Sequence, residues 1–157
     1  KRPQKAHVVI LETLQDPGNL GTILRTAEAA GASGIIMDRG TADIYNPKVV
    51  RSTMGAVFRM PFVYVDDLKE ALKELKQVGI CLYAAHLEGA VDYDKEDYTK
   101  DIGFLIGNEA KGLSGDITAM ADACVKIPMA GKVESLNAAV AASVFMFEAA
   151  RQRRSGF

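Results

Sequence analysis

The chain has 157 residues, 48% of them hydrophobic and 25% charged, with a formal net charge of −1. With a mean hydropathy of +0.03, this excludes a disordered chain and suits one domain with a sizeable core. No apolar run approaches the ~20 residues that cross a bilayer, and the near-neutral charge gives no global basic footprint for nucleic acid.

The start, Lys1-Arg2-Pro3-Gln4-Lys5, is basic but lacks the apolar stretch of a secretory signal. It also lacks an initiator methionine, so a trimmed piece of a longer protein is expected. Ala6-His7-Val8-Val9-Ile10-Leu11 is a continuous apolar run of the kind a doubly covered parallel strand shows. Asp16-Pro17-Gly18-Asn19 breaks it, with Asn19 read as an N-cap. Leu20, Ile23, Leu24 and Ala27 follow at helical spacing, with Gly31 as the stop.

Gly34-Ile35-Ile36-Met37 reads as a second strand, and Asn46-Pro47 opens a short helix to about Thr53 with proline at its first position. Phe62 to Val65 is a third strand, followed by an amphipathic helix begun by Asp66-Asp67 and ended near Gly79. Ile80 to Ala85, Gly103 to Ile106 and Cys124 to Ile127 complete six strands. An Ala-rich helix from Leu136 to Arg153 closes the chain, its small residues suited to close packing. Strands alternating with helices predict one α/β domain with a mostly parallel six-stranded sheet flanked by helices.

Cys81 and Cys124 lie in apolar strand-like surroundings and read as small buried hydrophobes in a reducing cytoplasm, not as a disulfide or zinc site. His7 and His86 are too few for a metal cluster. Neither a metal nor a membrane is expected as a partner. The basic groups Lys48, Arg51 and Arg59, and Arg151-Gln152-Arg153-Arg154, each read as a solvated face, the last also as a cationic helix end or part of an RNA surface.

Three polar, glycine-bearing segments follow strands, where α/β sheets collect ligands. The first, Asp16-Pro17-Gly18-Asn19-Leu20-Gly21 with Arg25, is either a capped turn or an anion site at a helix start. Arg25 is either a surface cation or a phosphate ligand. The second is Ile106-Gly107-Asn108-Glu109-Ala110-Lys111-Gly112-Leu113. There Gly112 suggests an unusual backbone angle, and Glu109 either caps the helix near Ser114 or binds a ligand. The third runs from Ile127-Pro128-Met129-Ala130-Gly131 into Ser135-Leu136-Asn137. Its apolar side chains and free carbonyls suit an aromatic ring, and Ser135 reads as the N-cap of the last helix.

In order and strand context these segments closely resemble the three motifs of the SpoU (TrmH) family of RNA ribose 2′-O-methyltransferases, within the SPOUT class. The motifs stand as Asn19-x-Gly21-x-x-x-Arg25, Gly107-Asn108-Glu109-x-x-Gly112-Leu113, and Ile127-Pro128-Met129 with Ser135-Leu136-Asn137-x-Ala139-Val140-Ala141. The resemblance covers essentially the whole chain and implies a single catalytic domain over 1–157 whose C-terminal part forms a trefoil knot, an exception to the rule against threaded connections. It implies a pocket for S-adenosylmethionine formed by the loops at His86, Gly107, Ile127, Met129 and Leu136. It further implies catalytic roles for Arg25, Asn19, Glu109, Ser135 and Asn137, a homodimer, and RNA as substrate, with 23S rRNA first and tRNA as the near alternative. An N-terminal RNA-binding domain, common in the family, would lie before Lys1. Two other readings stand beside this one: a cofactor-binding but idle RNA-binding relative, and a doubly wound nucleotide-binding enzyme that has no use for the third segment.

Overall fold

The computed structural model describes residues 4–89 and 91–155; the basic residues Lys1 and Arg2 lie outside that range. Among the described residues the sheet has seven strands, all parallel: β1 (His7–Leu11), β2 (Gly34–Asp38), β3 (Phe62–Val65), β4 (Cys81–Ala85), β5 (Val91–Asp92), β6 (Ile102–Ile106) and β7 (Ala123–Lys126). Their order is β3-β2-β1-β6-β4-β7-β5. Six strands were expected. The seventh, β5, is a two-residue edge strand beside Val125 and Lys126, too short to carry a periodic signal.

Among the described residues five α-helices cover the sheet: α1 (Pro17–Ala29), α2 (Pro47–Ser52), α3 (Leu68–Gln77), α4 (Gly115–Thr118) and α5 (Ala138–Arg154). Along β1, Val9 and Leu11 join a core with residues of α1, α2 and α5, while Ile10 joins a second core with residues of α3 and α4. Both faces are therefore dry, which is why the strands read as unbroken apolar runs. Beneath α5, Tyr83, Tyr98, Phe104 and Phe145 form a ring cluster, with centroids 5.0 Å apart for Tyr83–Tyr98 and 5.7 Å for Phe104–Phe145.

The predicted short helix is found, with Asn46 accepting from the Lys48 amide and Pro47 in the first turn. Two helix starts differ from expectation. Helix α1 is capped by Asp16, whose carboxylate accepts from the Asn19 amide at 2.9 Å, and not by Asn19. Pro17 takes the first turn, where its missing N–H costs nothing. Helix α5 is capped by Asn137, which accepts from the amides of Ala139 and Val140, and not by Ser135.

The last helix is anchored by residues that read as a solvated cationic end. Gln152 is buried and takes the Tyr98 amide at 2.7 Å. The Arg153 guanidinium donates to the carbonyls of Lys5, Ala6, Tyr98 and Lys100, so it serves as a structural clamp. Arg151 pairs with Glu148 at 2.7 Å. Cys81 and Cys124 are free and half-buried.

His7 is buried at the start of β1, edge-on to Phe104, and neither ring nitrogen has a hydrogen-bond partner among the described residues. Burial, and after it the positive charge of Arg153, push its imidazole down to about 4. Above the ordinary value of 6.5 the ring is neutral in both folded and unfolded chains. As pH falls from there toward 4, the unfolded chain takes a proton that the folded one refuses, so stability is lost across that window, by about 3 kcal/mol at most. Denaturant unfolding at pH 7 and pH 4.5 is expected to show this loss, and His7→Leu to remove most of it.

Candidate active site

The sheet reverses its winding between β1 and β6, which pair in register with Leu11 opposite Ile106. The chain leaving β6 at that switch point immediately turns. Gly107 runs so close to the returning chain that a Cβ there would lie 2.2 Å from the Leu113 nitrogen. Asn108 and Gly112 then close a small ring, with Gly112 N–H donating to the Asn108 carbonyl at 2.8 Å and Asn108 N–H to Gly112 at 3.2 Å. Gly112 has φ of 68°, the left-handed angle its glycine suggested.

This ring forms one wall of a cavity of about 450 Å³. The loop at His86 after β4 and the segment at Ser135 and Leu136 before α5 form the others, and Ala138 and Ala141 of α5 its floor. A smaller adjoining space of about 100 Å³ is lined by Ile127 and Met129. His86 and Leu136 border both. All five candidate cofactor residues thus meet at one place, Gly107 on the larger space, Ile127 and Met129 on the smaller, and His86 and Leu136 between. His86 is exposed, and its Nδ1 accepts from the Glu88 amide at 3.1 Å.

Hydrogen bonds join the three segments beside the cavity, which Glu109 itself lines. The Asn137 Oδ1 is held by two helix amides, which turns its Nδ2 outward to donate to the Asn19 Oδ1 at 3.0 Å. With its oxygen so used, the Asn19 side chain has its amide group left to face Glu109, whose charged form it favours. Glu109 also accepts from the backbone amides of Asp16 at 2.8 Å and Gln15 at 3.2 Å. Burial raises its carboxyl, but these backbone and side-chain donors outweigh it and hold Glu109 below the usual carboxylate range. Glu109 therefore does not cap the helix at Ser114, which is capped by the Ser114 hydroxyl itself.

Ser135 lines the cavity. Arg25 lines neither space, is exposed, and makes no hydrogen bond or ion pair among the described residues. On α1, Asn19 and Thr26 face α5 through Asn137 and Ser143, and Glu28 faces away to pair with Arg59. Arg25 sits on the exposed ridge between those two lines.

Sequence reasoning missed Glu12, whose carboxylate takes both the amide and the hydroxyl of Ser114 at 2.7 Å. It also missed the bracing role of Asn108. The Asn108 Oδ1 accepts from the amides of Ala110 and Lys111, and its Nδ2 donates to the Thr13 carbonyl at 2.8 Å. The contacts to Ser114 and to the Thr13 carbonyl have no local signature, because those partners lie 102 and 95 positions away in sequence.

A parallel sheet with a ligand-sized cavity at its carboxyl edge, bordered by a glycine-tight ring, defines a small-molecule-binding α/β domain. More narrowly, the chain belongs to the SpoU rRNA methylase family, whose model matches residues 6–147. It is 36% identical over 140 residues to the 23S rRNA (guanosine(2553)-2′-O)-methyltransferase RlmP of Bacillus subtilis, covering 89% of this chain and 56% of that protein. An S-adenosylmethionine-bound rRNA methyltransferase of Sinorhizobium meliloti superposes with a TM-score of 0.90 at 42% identity, covering 97% of this chain and 59% of that one. The SpoU methyltransferase AviRb of Streptomyces viridochromogenes, also with S-adenosylmethionine, gives 0.89 at 39% identity, covering 99% and 63%. The chain spans about three fifths of the length of the curated relatives it matches.

Proposed function

We propose that this chain is the methyl-transfer domain of an S-adenosylmethionine-dependent RNA ribose 2′-O-methyltransferase, acting on 23S rRNA. The observation that carries the reading is the meeting of three sequence-distant segments, through Asn137–Asn19 and Glu109–Asp16, beside a cavity of about 450 Å³. That volume lies in the range of small-molecule sites, and its walls combine apolar side chains with backbone groups, so the residues present fit the cofactor.

When bound, S-adenosylmethionine supplies an activated methyl group for a ribose 2′-hydroxyl. The walls at Gly107, Leu136 and His86, with Ile127 and Met129 beside them, would hold it. Asn19, Glu109 and Asn137 would fix the rim where the ribose enters, with Ser135 at the cavity edge. Position supplies much of the rate in a transfer whose leaving group is already activated. Arg25, permanently charged, would clamp an RNA phosphate and stabilise the charge that develops on the ribose oxygen.

Arg25 stands away from the cavity of its own chain, which suits a homodimer in which it serves the partner's site. Val140 and Phe147 of α5, exposed apolar residues beside α1, support that face as the contact. The trefoil knot of the C-terminal part belongs to the same reading, supported by β6 lying between β1 and β4 and by the return of 107–113 and 127–137 to one cavity.

Incubation with methyl-labelled S-adenosylmethionine and total rRNA or tRNA, followed by mapping of ribose methylation, tests the proposal. Label on a 2′-oxygen of 23S rRNA is expected. Label on tRNA alone would move the substrate, and no transfer by the chain in its full-length form would sink the enzyme reading.

A further inference from the structure

Thr13 has φ of 53°, a left-handed angle that a β-branched residue adopts only under constraint. The constraint is visible. Asp38, at the end of β2, accepts the Thr13 amide on Oδ1 and the Thr13 hydroxyl on Oδ2, both at 2.8 Å. Thr41 donates its hydroxyl to the same Oδ1 at 2.9 Å and accepts from the Leu14 amide, bracing the carboxylate and the next residue together. Gly40 leaves the room that the Thr13 side chain fills, since a Cβ there would lie 3.0 Å from both its methyl and its hydroxyl.

The consequence runs toward the cavity. A left-handed Thr13 turns its carbonyl to the Asn108 Nδ2, and Asn108 has no other orientation available because its Oδ1 holds the Ala110 and Lys111 amides. Those amides belong to the wall formed by 108–112. Asp38 itself borders neither cavity space.

We propose that Asp38 is a positioning residue that, by locking Thr13 in the left-handed conformation, sets the shape of the 108–112 wall and with it the affinity for the methyl donor. The affinity part rests on the methyltransferase reading above; the shape part does not. The two are separable in one set of variants. Asp38→Ala is expected to speed amide hydrogen exchange at Ala110 and Lys111, read by NMR without ligand, by about tenfold, and to weaken S-adenosylmethionine binding in calorimetry by a similar factor.

Adding Thr13→Gly to Asp38→Ala is expected to restore both, because glycine takes a positive φ at no steric cost. Thr13→Gly alone, which keeps the amide that Asp38 Oδ1 accepts and loses the hydroxyl on Oδ2, is the reference for that rescue, and Asp38→Ala is expected to change little on top of it. A general loss of stability would not be cured by removing a side chain, so the rescue separates positioning from bulk packing. Asp38→Asn, which keeps an acceptor for the Thr13 amide, gives a smaller change of the same sign if the alanine variant does not fold. Unchanged exchange in the Asp38 variants, or a change that glycine at 13 fails to reverse, would overturn the proposal. A wild-type chain that ignores S-adenosylmethionine would sink the methyltransferase reading, while the exchange data would still decide the coupling.

Discussion

Arg25→Ala is expected to lower methyl transfer to RNA by about 100- to 1000-fold, the usual cost of removing a preplaced charge-stabilising donor, while leaving S-adenosylmethionine affinity unchanged. The split follows from position. Arg25 is exposed, pairs with nothing among the described residues and lines neither cavity space, so its loss removes no cofactor contact and no core packing. Single-turnover transfer with calorimetry on the same variant measures both halves. A variant that keeps full transfer would return Arg25 to a plain surface cation. Mixing two inactive chains then asks whose site Arg25 serves. If it acts across a dimer, Arg25→Ala mixed with a chain unable to bind cofactor should recover about a quarter of wild-type activity, since half the reassorted dimers carry one complete site. If it acts on its own chain, the mixture stays inactive.

The contrast between Arg25 and Asp38 shows what the sequence could and could not reveal. The strands were legible because both sheet faces are dry, and the short proline-led helix because Asn46-Pro47 is a local signal. Asp16-Pro17 carried the same signal at α1, and weighing Asn19 above it misplaced that cap by three residues. The three site segments were legible through their order, which a resemblance can read. The bonds that join them were not, because Asn19 to Asn137 spans 118 positions and Thr13 to Asn108 spans 95. Nothing in a threonine announces a left-handed backbone, and nothing in Arg153 separates a solvated cation from one that closes four carbonyls. Such roles arise only when the sheet order has brought distant strand ends together.

Gly107→Ala is expected to abolish cofactor binding, with affinity falling more than about 100-fold while the sheet stays folded at a cost of about 2–3 kcal/mol. The added methyl would lie 2.2 Å from the Leu113 nitrogen, 2.3 Å from the Gly112 carbonyl carbon and 2.6 Å from its oxygen. All three are backbone atoms, so no side chain can swing aside. They belong to a ring closed at both ends by the Asn108–Gly112 hydrogen bonds, so the whole wall must shift or open. Gly112→Ala makes the matched comparison. A Cβ there meets nothing within 4 Å, and its cost is the left-handed φ of 68° alone, about 1 kcal/mol. Calorimetry and thermal melts on the pair should therefore give a large binding loss at 107 and a modest one at 112. Equal losses would mean that the backbone angle, and not the close approach of two chain segments, shapes the pocket. A larger loss at 107 would identify the site as one that depends on chain passing against chain, with no tolerance for even one methyl group between them.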